Sequence, residues 1–163
     1  VIFSDDRETF AAQRSTALED GFDALAPRVE ESLRAFGGRD WYVPILSAAM
    51  DVWDDTQEAE GSDVAVTDAF IRSLRESLDL TTAPSDPPDE AQVRRIANWV
   101  AVYTVNASTL ASAQADGEDV ALEWVTMRDE DVRDLHRPLQ GERVAAGDTF
   151  QVGQWELQYP GQP

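Results

Sequence analysis

Apolar positions recur every three to four residues along most of the chain, and the period changes only near residue 121. Phe22, Leu25, Val29, Leu33 and Phe36 keep helical spacing, and Phe10, Arg14, Ala17 and Leu18 lead into them. A helix is predicted from Ser4 to Phe36. Ser4 would be its N-cap, with Asp5, Asp6 and Glu8 in a first turn where the helix dipole favours acids. Gly21 and Pro27 are candidate breaks that would divide it in two, and Gly37-Gly38 would end it. Ile45, Ala48, Ala49, Val52 and Trp53 mark a second helix, Pro44 to Glu60. Val66, Phe70, Leu74 and Leu78 mark a third, capped by Asp63 or Thr67 and reaching Leu80. These stripes read as ordinary core-facing sides.

Thr81 to Asp89 (TTAPSDPPD) has the composition of a linker. Pro87-Pro88 suits the first turn of a helix, and Asp89 to Ala115 is predicted as one long helix of about 40 Å. Val93, Ile96, Ala97, Val100, Ala107, Leu110 and Ala111 hold one stripe, with Tyr103 or Thr104 between them. Trp99, Val102 and Val105 lie off it, so the helix is apolar most of the way round and should be buried on several sides. The β-branched run from Val100 to Val105 admits a strand instead, but length and the alanine-rich flanks favour helix. Gly117 is its stop. From Ala121 the period shortens. Leu122, Trp124 and Thr126 alternate as in a short strand, Asp129 caps a helical turn from Glu130 to Leu135, and Pro138 and Gly141 break the chain. Residues 149–152 and 155–159 form a hairpin joined at Gly153. The expected fold is mainly α with a small C-terminal α+β unit: a helical arm or bundle, then a short domain containing a β-hairpin. The expected divisions are 1–83 (helical), 84–117 (the long buried helix) and 118–163 (the α+β unit).

Composition adds three things. At 163 residues the chain can bury roughly 70% of the surface that it exposes when unfolded, so a core needs no staples. It has no cysteine, which excludes disulfides, thiolate metal sites and a cysteine nucleophile. Its net charge is −19, and every basic residue is arginine. That surface repels phosphate backbones, so no direct nucleic-acid binding is expected; it serves solubility or meets a basic partner. Asp51, Asp54, Asp55, Glu58, Glu60 and Asp63 make one helix end uniformly acidic, but the EF-hand loop pattern is absent and a solvated end is the preferred reading. No apolar run is long enough to span a bilayer and no signal-peptide pattern opens the chain, so a soluble protein without membrane partners is expected. The start at Val1 and the close at Pro163 suggest part of a longer protein.

Candidate chemistry is confined to the last quarter. Asp129, Asp131, Arg133, Asp134 and His136 fall within eight positions. Carboxylates with a histidine suit a divalent metal, or a general base oriented by an acid, so one reading is a metal-dependent hydrolase using Asp129 and His136. On a continuous helix those two would share a face yet lie about 10 Å apart along the axis. The preferred reading is structural: Asp129 caps the turn, Arg133 pairs with it at i,i+4, and His136 donates to a backbone carbonyl and fixes the Pro138–Gly141 turn. Phosphate-loop, nucleophile-elbow and His-Glu-x-x-His patterns are absent, and a single histidine excludes a multi-histidine zinc site in this chain. No catalytic residue, metal or cofactor is assigned. Trp124, Phe150, Trp155 and Tyr159 are expected to form the core of the β unit.

Read as a pattern, the segment is Trp124, Asp129, Val132-Arg133, His136, Leu139 and Gly141, then Phe150, then Tyr159-Pro160-Gly161. In order and spacing it resembles the C-terminal domain of the phage Mu F-like family of minor head (head morphogenesis) proteins. The helix from Val93 to Gly117 occupies the place of that family's long alanine-rich helix, with Asn98-Trp99-Val100 where relatives often carry an Arg-Thr-Glu run. The resemblance implies a structural component of a tailed-phage head. Such a protein assembles in the bacterial cytoplasm and resides in the virion, in several copies near the portal. Portal and major capsid subunits would be its partners, and it would aid head assembly or DNA delivery. An adaptor domain of a toxin-bearing relative is the enzymatic variant of the same resemblance.

Overall fold

The computed structural model describes residues 7–35, 42–80, 89–115, 121–124, 134–145 and 147–159. Four helices come first: α1 (Arg7–Ala35), α2 (Val43–Ala59), α3 (Asp68–Leu80) and α4 (Glu90–Ala115). Among the described residues, four short strands follow: β1 (Ala121–Glu123), β2 (Arg143–Ala145), β3 (Phe150–Val152) and β4 (Trp155–Leu157), with a 3-10 turn at Arg137–Leu139 before β2. The helices pack as a bundle in which α1, α2 and α4 are mutually in contact, and the strands form two antiparallel pairs, β1 with β2 and β3 with β4. The expected class, helices followed by a small hairpin-bearing unit, is the class observed.

Local chemistry sets the helix ends. Thr67 accepts from the Phe70 N–H through its hydroxyl (3.1 Å), so of the two candidate caps of α3 the chain uses Thr67 rather than Asp63. At α4, Asp89 Oδ1 accepts from the Gln92 N–H (2.7 Å) while Gln92 Oε1 accepts from the Asp89 N–H (2.9 Å). This reciprocal capping box satisfies two otherwise orphaned donors. Ser4 and the linker at 81–88 lie outside the described residues.

One expectation about α1 is corrected: neither Gly21 nor Pro27 divides it. Pro27 sits on the exposed side, where water can serve the carbonyl it leaves unpaired. Gly21 serves packing rather than a break. A Cβ there would stand 3.4 Å from Val52 and 3.5 Å from Ala101, so the missing side chain lets α1 approach α2 and α4 closely.

The main core joins Leu25 and Val29 of α1, the Ile45 to Trp53 face of α2, and Phe70, Leu74 and Leu78 of α3 to the Val93 to Ala107 face of α4. Almost every side chain of α4 from Val100 to Ala113 is buried, as its nearly all-round apolar sequence requires; the β-branched run is helix, not strand. A second, smaller core gathers Leu110 of α4 with Leu122, Trp124, Leu139, Phe150 and Val152. Tyr159 packs against both. No helix among the described residues is long and apolar enough to cross a membrane.

Candidate functional site

The sequence pattern of the last quarter resolves into turn and strand chemistry. Leu139 to Glu142 form a β-turn closed by the Glu142 N–H donating to the Leu139 carbonyl (2.8 Å). Gln140 has φ −54° and ψ 115°, and Gly141 has φ +81°. These are the angles of a type II turn, whose third residue needs a left-handed backbone that glycine enters without steric cost. The turn feeds directly into a β-bulge. Trp124 donates from its N–H to the Glu142 carbonyl (2.9 Å) and accepts at its own carbonyl from the Gly141 N–H (2.8 Å). Two residues thus face one, with glycine first, which is the G1 arrangement. Beyond it the β1–β2 ladder runs Glu123↔Arg143, Leu122↔Val144, Ala121↔Ala145.

This geometry delivers Trp124 and Leu139 to the same small core. Trp124 is only 2% exposed and meets Phe150 edge-on at 5.1 Å between ring centroids. His136 stands perpendicular to Trp124 on another side, at 5.5 Å, and its backbone carbonyl accepts from the Leu139 N–H (3.2 Å), closing the 3-10 turn. Of the pattern residues, Trp124, His136, Leu139, Gly141 and Phe150 are brought together. Tyr159 lies at the edge of this group. Asp129, Arg133, Pro160 and Gly161, like Asp131, lie outside the described residues. Of the described acids nearest in sequence, Asp134 is exposed and faces Arg137 at 3.6 Å. Glu123 takes two nitrogens of Arg143 on one carboxylate oxygen at 2.8 Å, across the β1–β2 pair.

Trp155 departs from expectation. It pairs directly with the buried Val152, so the two side chains leave the hairpin on one side, yet Trp155 is 62% exposed. The hairpin turns at Gly153 (φ +64°), and Trp155 projects past the end of the core that Phe150 and Val152 enter. Leu135, 59% exposed, lies beside that turn, within 3.6 Å of where a Gly153 Cβ would stand.

A second feature was not anticipated from the sequence. Aromatic rings of three helices form a seam. Trp53 tilts against Phe70 (4.9 Å), Phe70 stacks on Tyr103 (5.3 Å), Trp99 stacks on Tyr103 (5.6 Å), and Tyr159 tilts against Tyr103 (5.8 Å). Beside the seam is an open pocket of about 450 Å³, walled by α3 and the second half of α4 and closed on one side by Gln158 and Tyr159. Among the described residues, no charged side chain lines it. Burial pushes the Tyr159 phenol well above its ordinary pKa, and the neighbouring Tyr103 phenol adds to this.

Beneath the seam, Gln57 is 4% exposed and holds α2 to α4. Its amide nitrogen donates to the Ser108 carbonyl (3.0 Å) and hydroxyl (2.7 Å) and stands 2.8 Å from the Ser112 hydroxyl. Its amide oxygen accepts from the Val64 N–H (3.0 Å) and the Ser112 hydroxyl (3.1 Å). Trp53 adds an indole N–H bond to the Val64 carbonyl (2.8 Å), so the α2–α3 connection is fastened at both backbone groups of Val64. Helical spacing was the available signal: Gln57 follows Trp53 by four residues, and Ser108 and Ser112 are four apart on the buried helix. At the acidic end of α2, Asp54, Asp55, Glu58 and Asp63 are exposed as expected. Glu60 instead turns inward to accept from the Thr109 hydroxyl (2.7 Å).

Comparison with protein-family models, with curated proteins and with solved structures returned no match to this chain.

Proposed function

We propose that this chain is a structural component of a tailed-phage head, of the minor head (head morphogenesis) kind, docking on portal or major capsid subunits. It would act in the virion after assembly in the bacterial cytoplasm, with several copies around the portal. One observation supports this reading above others. The described residues of the Trp124–Gly141 pattern are used in folding: Trp124 and Leu139 are buried, Gly141 makes the turn and bulge, and His136 and Phe150 pack on Trp124. A pattern whose members hold a small core together suits a docking module better than a reaction centre, where polar groups converge on open space.

The charge supports a basic partner. At −19 the chain would be steered towards an arginine- or lysine-rich surface, and the association should weaken steeply with added salt. The test is affinity capture of particle components with the intact protein, read by mass spectrometry at low and high salt. Portal and major capsid subunits recovered together, and lost at high salt, are the expected result. Recovery of the chain alone, or with host enzymes, would overturn the proposal.

A further inference from the structure

We infer that the outer face of α2 docks an amphipathic helix of a partner protein, one that carries apolar side chains in one half and lysine or arginine in the other. The inference rests on the docking reading above for there being a partner, and its test uses a synthetic peptide, so either can fail without the other. At about 100° per residue, Val43, Met50, Asp54 and Glu58 fall within about 80° of one another around the helix. Ile45, Ala48, Ala49 and Val52 bury the opposite side against the rest of the bundle. Of the four large apolar side chains exposed among the described residues, two lie on this outer face: Val43 (53%) and Met50 (41%). Leu46, half-buried, lies beside them and completes an i, i+3, i+7 set, the spacing at which one helix grips another.

The same face turns acidic in its second half. Asp54 and Glu58 are an i,i+4 pair of like charge, which weakens a helix, and Glu58 stands in the last turn, where the helix dipole disfavours acids. α2 has no basic residue in that turn, and among the described residues no ion pair reaches Asp54, Asp55 or Glu58. Asp51, by contrast, holds Arg28 at 3.1 Å. Asp54 and Glu58 thus weaken α2 slightly while it is free, and a cationic partner would remove that cost. Charge then selects the occupant. A second copy of the chain would bring a further −19 and the same acids, and an anionic membrane or a nucleic acid is repelled. A wholly apolar helix would cover Val43 and Met50 but leave the acids unpaired. A helix with both characters serves the two halves at once.

The probe is a fluorescein-labelled peptide of 17 residues, the length of α2, with leucines on one face in one half and lysines on that face in the other. Its anisotropy is followed against the intact protein at physiological salt. Saturable binding is expected, and its loss when glutamates replace the lysines. Val43→Thr with Met50→Gln, and separately Asp54→Asn with Glu58→Gln, should each weaken binding about 10-fold or more. Glu19→Gln with Asp20→Asn makes the same change in net charge at exposed positions of α1, and its affinity should stay within about 2-fold of the parent. The Asp54→Asn, Glu58→Gln chain should also keep the parent's urea midpoint or exceed it. Equal weakening by the α1 pair would overturn the inference in favour of diffuse attraction to the acidic surface. Unchanged affinity in the Val43→Thr, Met50→Gln chain would overturn it by leaving the apolar half unused. A lower midpoint in the Asp54→Asn, Glu58→Gln chain would overturn it by showing that these acids serve folding. No saturable binding at about 1 mM protein would overturn it outright.

Discussion

Replacing Gln57 by leucine keeps the side-chain volume and removes every polar contact it makes. The Ser112 hydroxyl can turn to the Ser108 carbonyl, already 3.3 Å away, and the Ser108 hydroxyl keeps the Trp53 carbonyl at 3.3 Å. The Val64 N–H has no such fallback and loses its acceptor, Gln57 Oε1. An orphaned donor costs about 1–3 kcal/mol, and the two N–H groups of the amide, shared among the Ser108 carbonyl and hydroxyl and the Ser112 hydroxyl, add about 1 kcal/mol each. Greater burial of leucine offsets part of this, so a net loss of about 3 kcal/mol is expected, against a total stability of about 5–15 kcal/mol. With a urea m-value of about 2 kcal/mol/M, the midpoint should fall by about 1.5 M at unchanged m, followed by tryptophan fluorescence.

Gln57→Glu sharpens the test. It puts a carboxylate oxygen against the Ser108 carbonyl in place of a donor, in a site that disfavours charge. The folded-state pKa of that carboxyl would be raised above its unfolded value. Its stability contribution would then be present below the unfolded value of about 4.3 and lost as pH rises through the folded one. The variant should therefore be weaker than Gln57→Leu at pH 7 and recover on acidification. A Gln57→Leu midpoint within about 0.3 M of the parent would refute the claim that this side chain clamps α2 to α4.

Three further outcomes are expected. Gly141→Ala should cost about 1–2 kcal/mol because φ is +81°, while a Cβ there meets nothing nearer than Glu123 at 4.0 Å; Gly141→Asn should cost less, and equal costs would exclude backbone strain as the cause. Thr104 is wholly buried and its hydroxyl meets no hydrogen-bond partner among the described residues, so Thr104→Val should raise stability by about 1 kcal/mol, and a loss in thermal melts would refute this. Tyr159 holds its proton to higher pH in the folded chain than the ordinary phenol value of 10.0, so stability should be complete below that pH and fall above it, by up to about 1.4 kcal/mol per pH unit. Tyr159→Phe should flatten that alkaline limb in denaturant titrations between pH 9 and 11.5, and an unchanged slope would show that the phenol is not protected.

How far the sequence could be read depended on whether a residue's role was periodic or conditional. The four helices follow from spacing alone, because a helix buries whatever recurs at 3.6 residues; Ile45, Val52, Leu74 and Val100 are buried as their stripes require. The β3–β4 hairpin was legible because alternating positions flank a glycine. β2 was not: Arg143-Val144-Ala145 carries one apolar branched residue, and its strand exists only because the turn and bulge at Gly141 set it against β1. Pro27 misled because a proline's cost depends on which face it occupies, and the exposed face spared α1. Trp155 misled because alternation assigns a side of the hairpin but not how far the core extends beneath it.

The same distinction applies to the candidate site. Order and spacing singled out Trp124, His136, Leu139, Gly141 and Phe150, and all five prove to be parts of one turn, one bulge and one small core. Residues so used are constrained in sequence by folding, which is why they form a readable pattern, and burial removes Trp124, Leu139 and Phe150 from direct contact with a partner. Surfaces open to contact are elsewhere: Trp155 and Leu135 at the hairpin end, and the exposed acids of α2. None of these carries a spacing rule, because a docking surface is selected against a partner's shape and charge rather than against the chain's own backbone. The pattern therefore identifies the scaffold, and the docking role proposed above would fall to the positions the pattern leaves free.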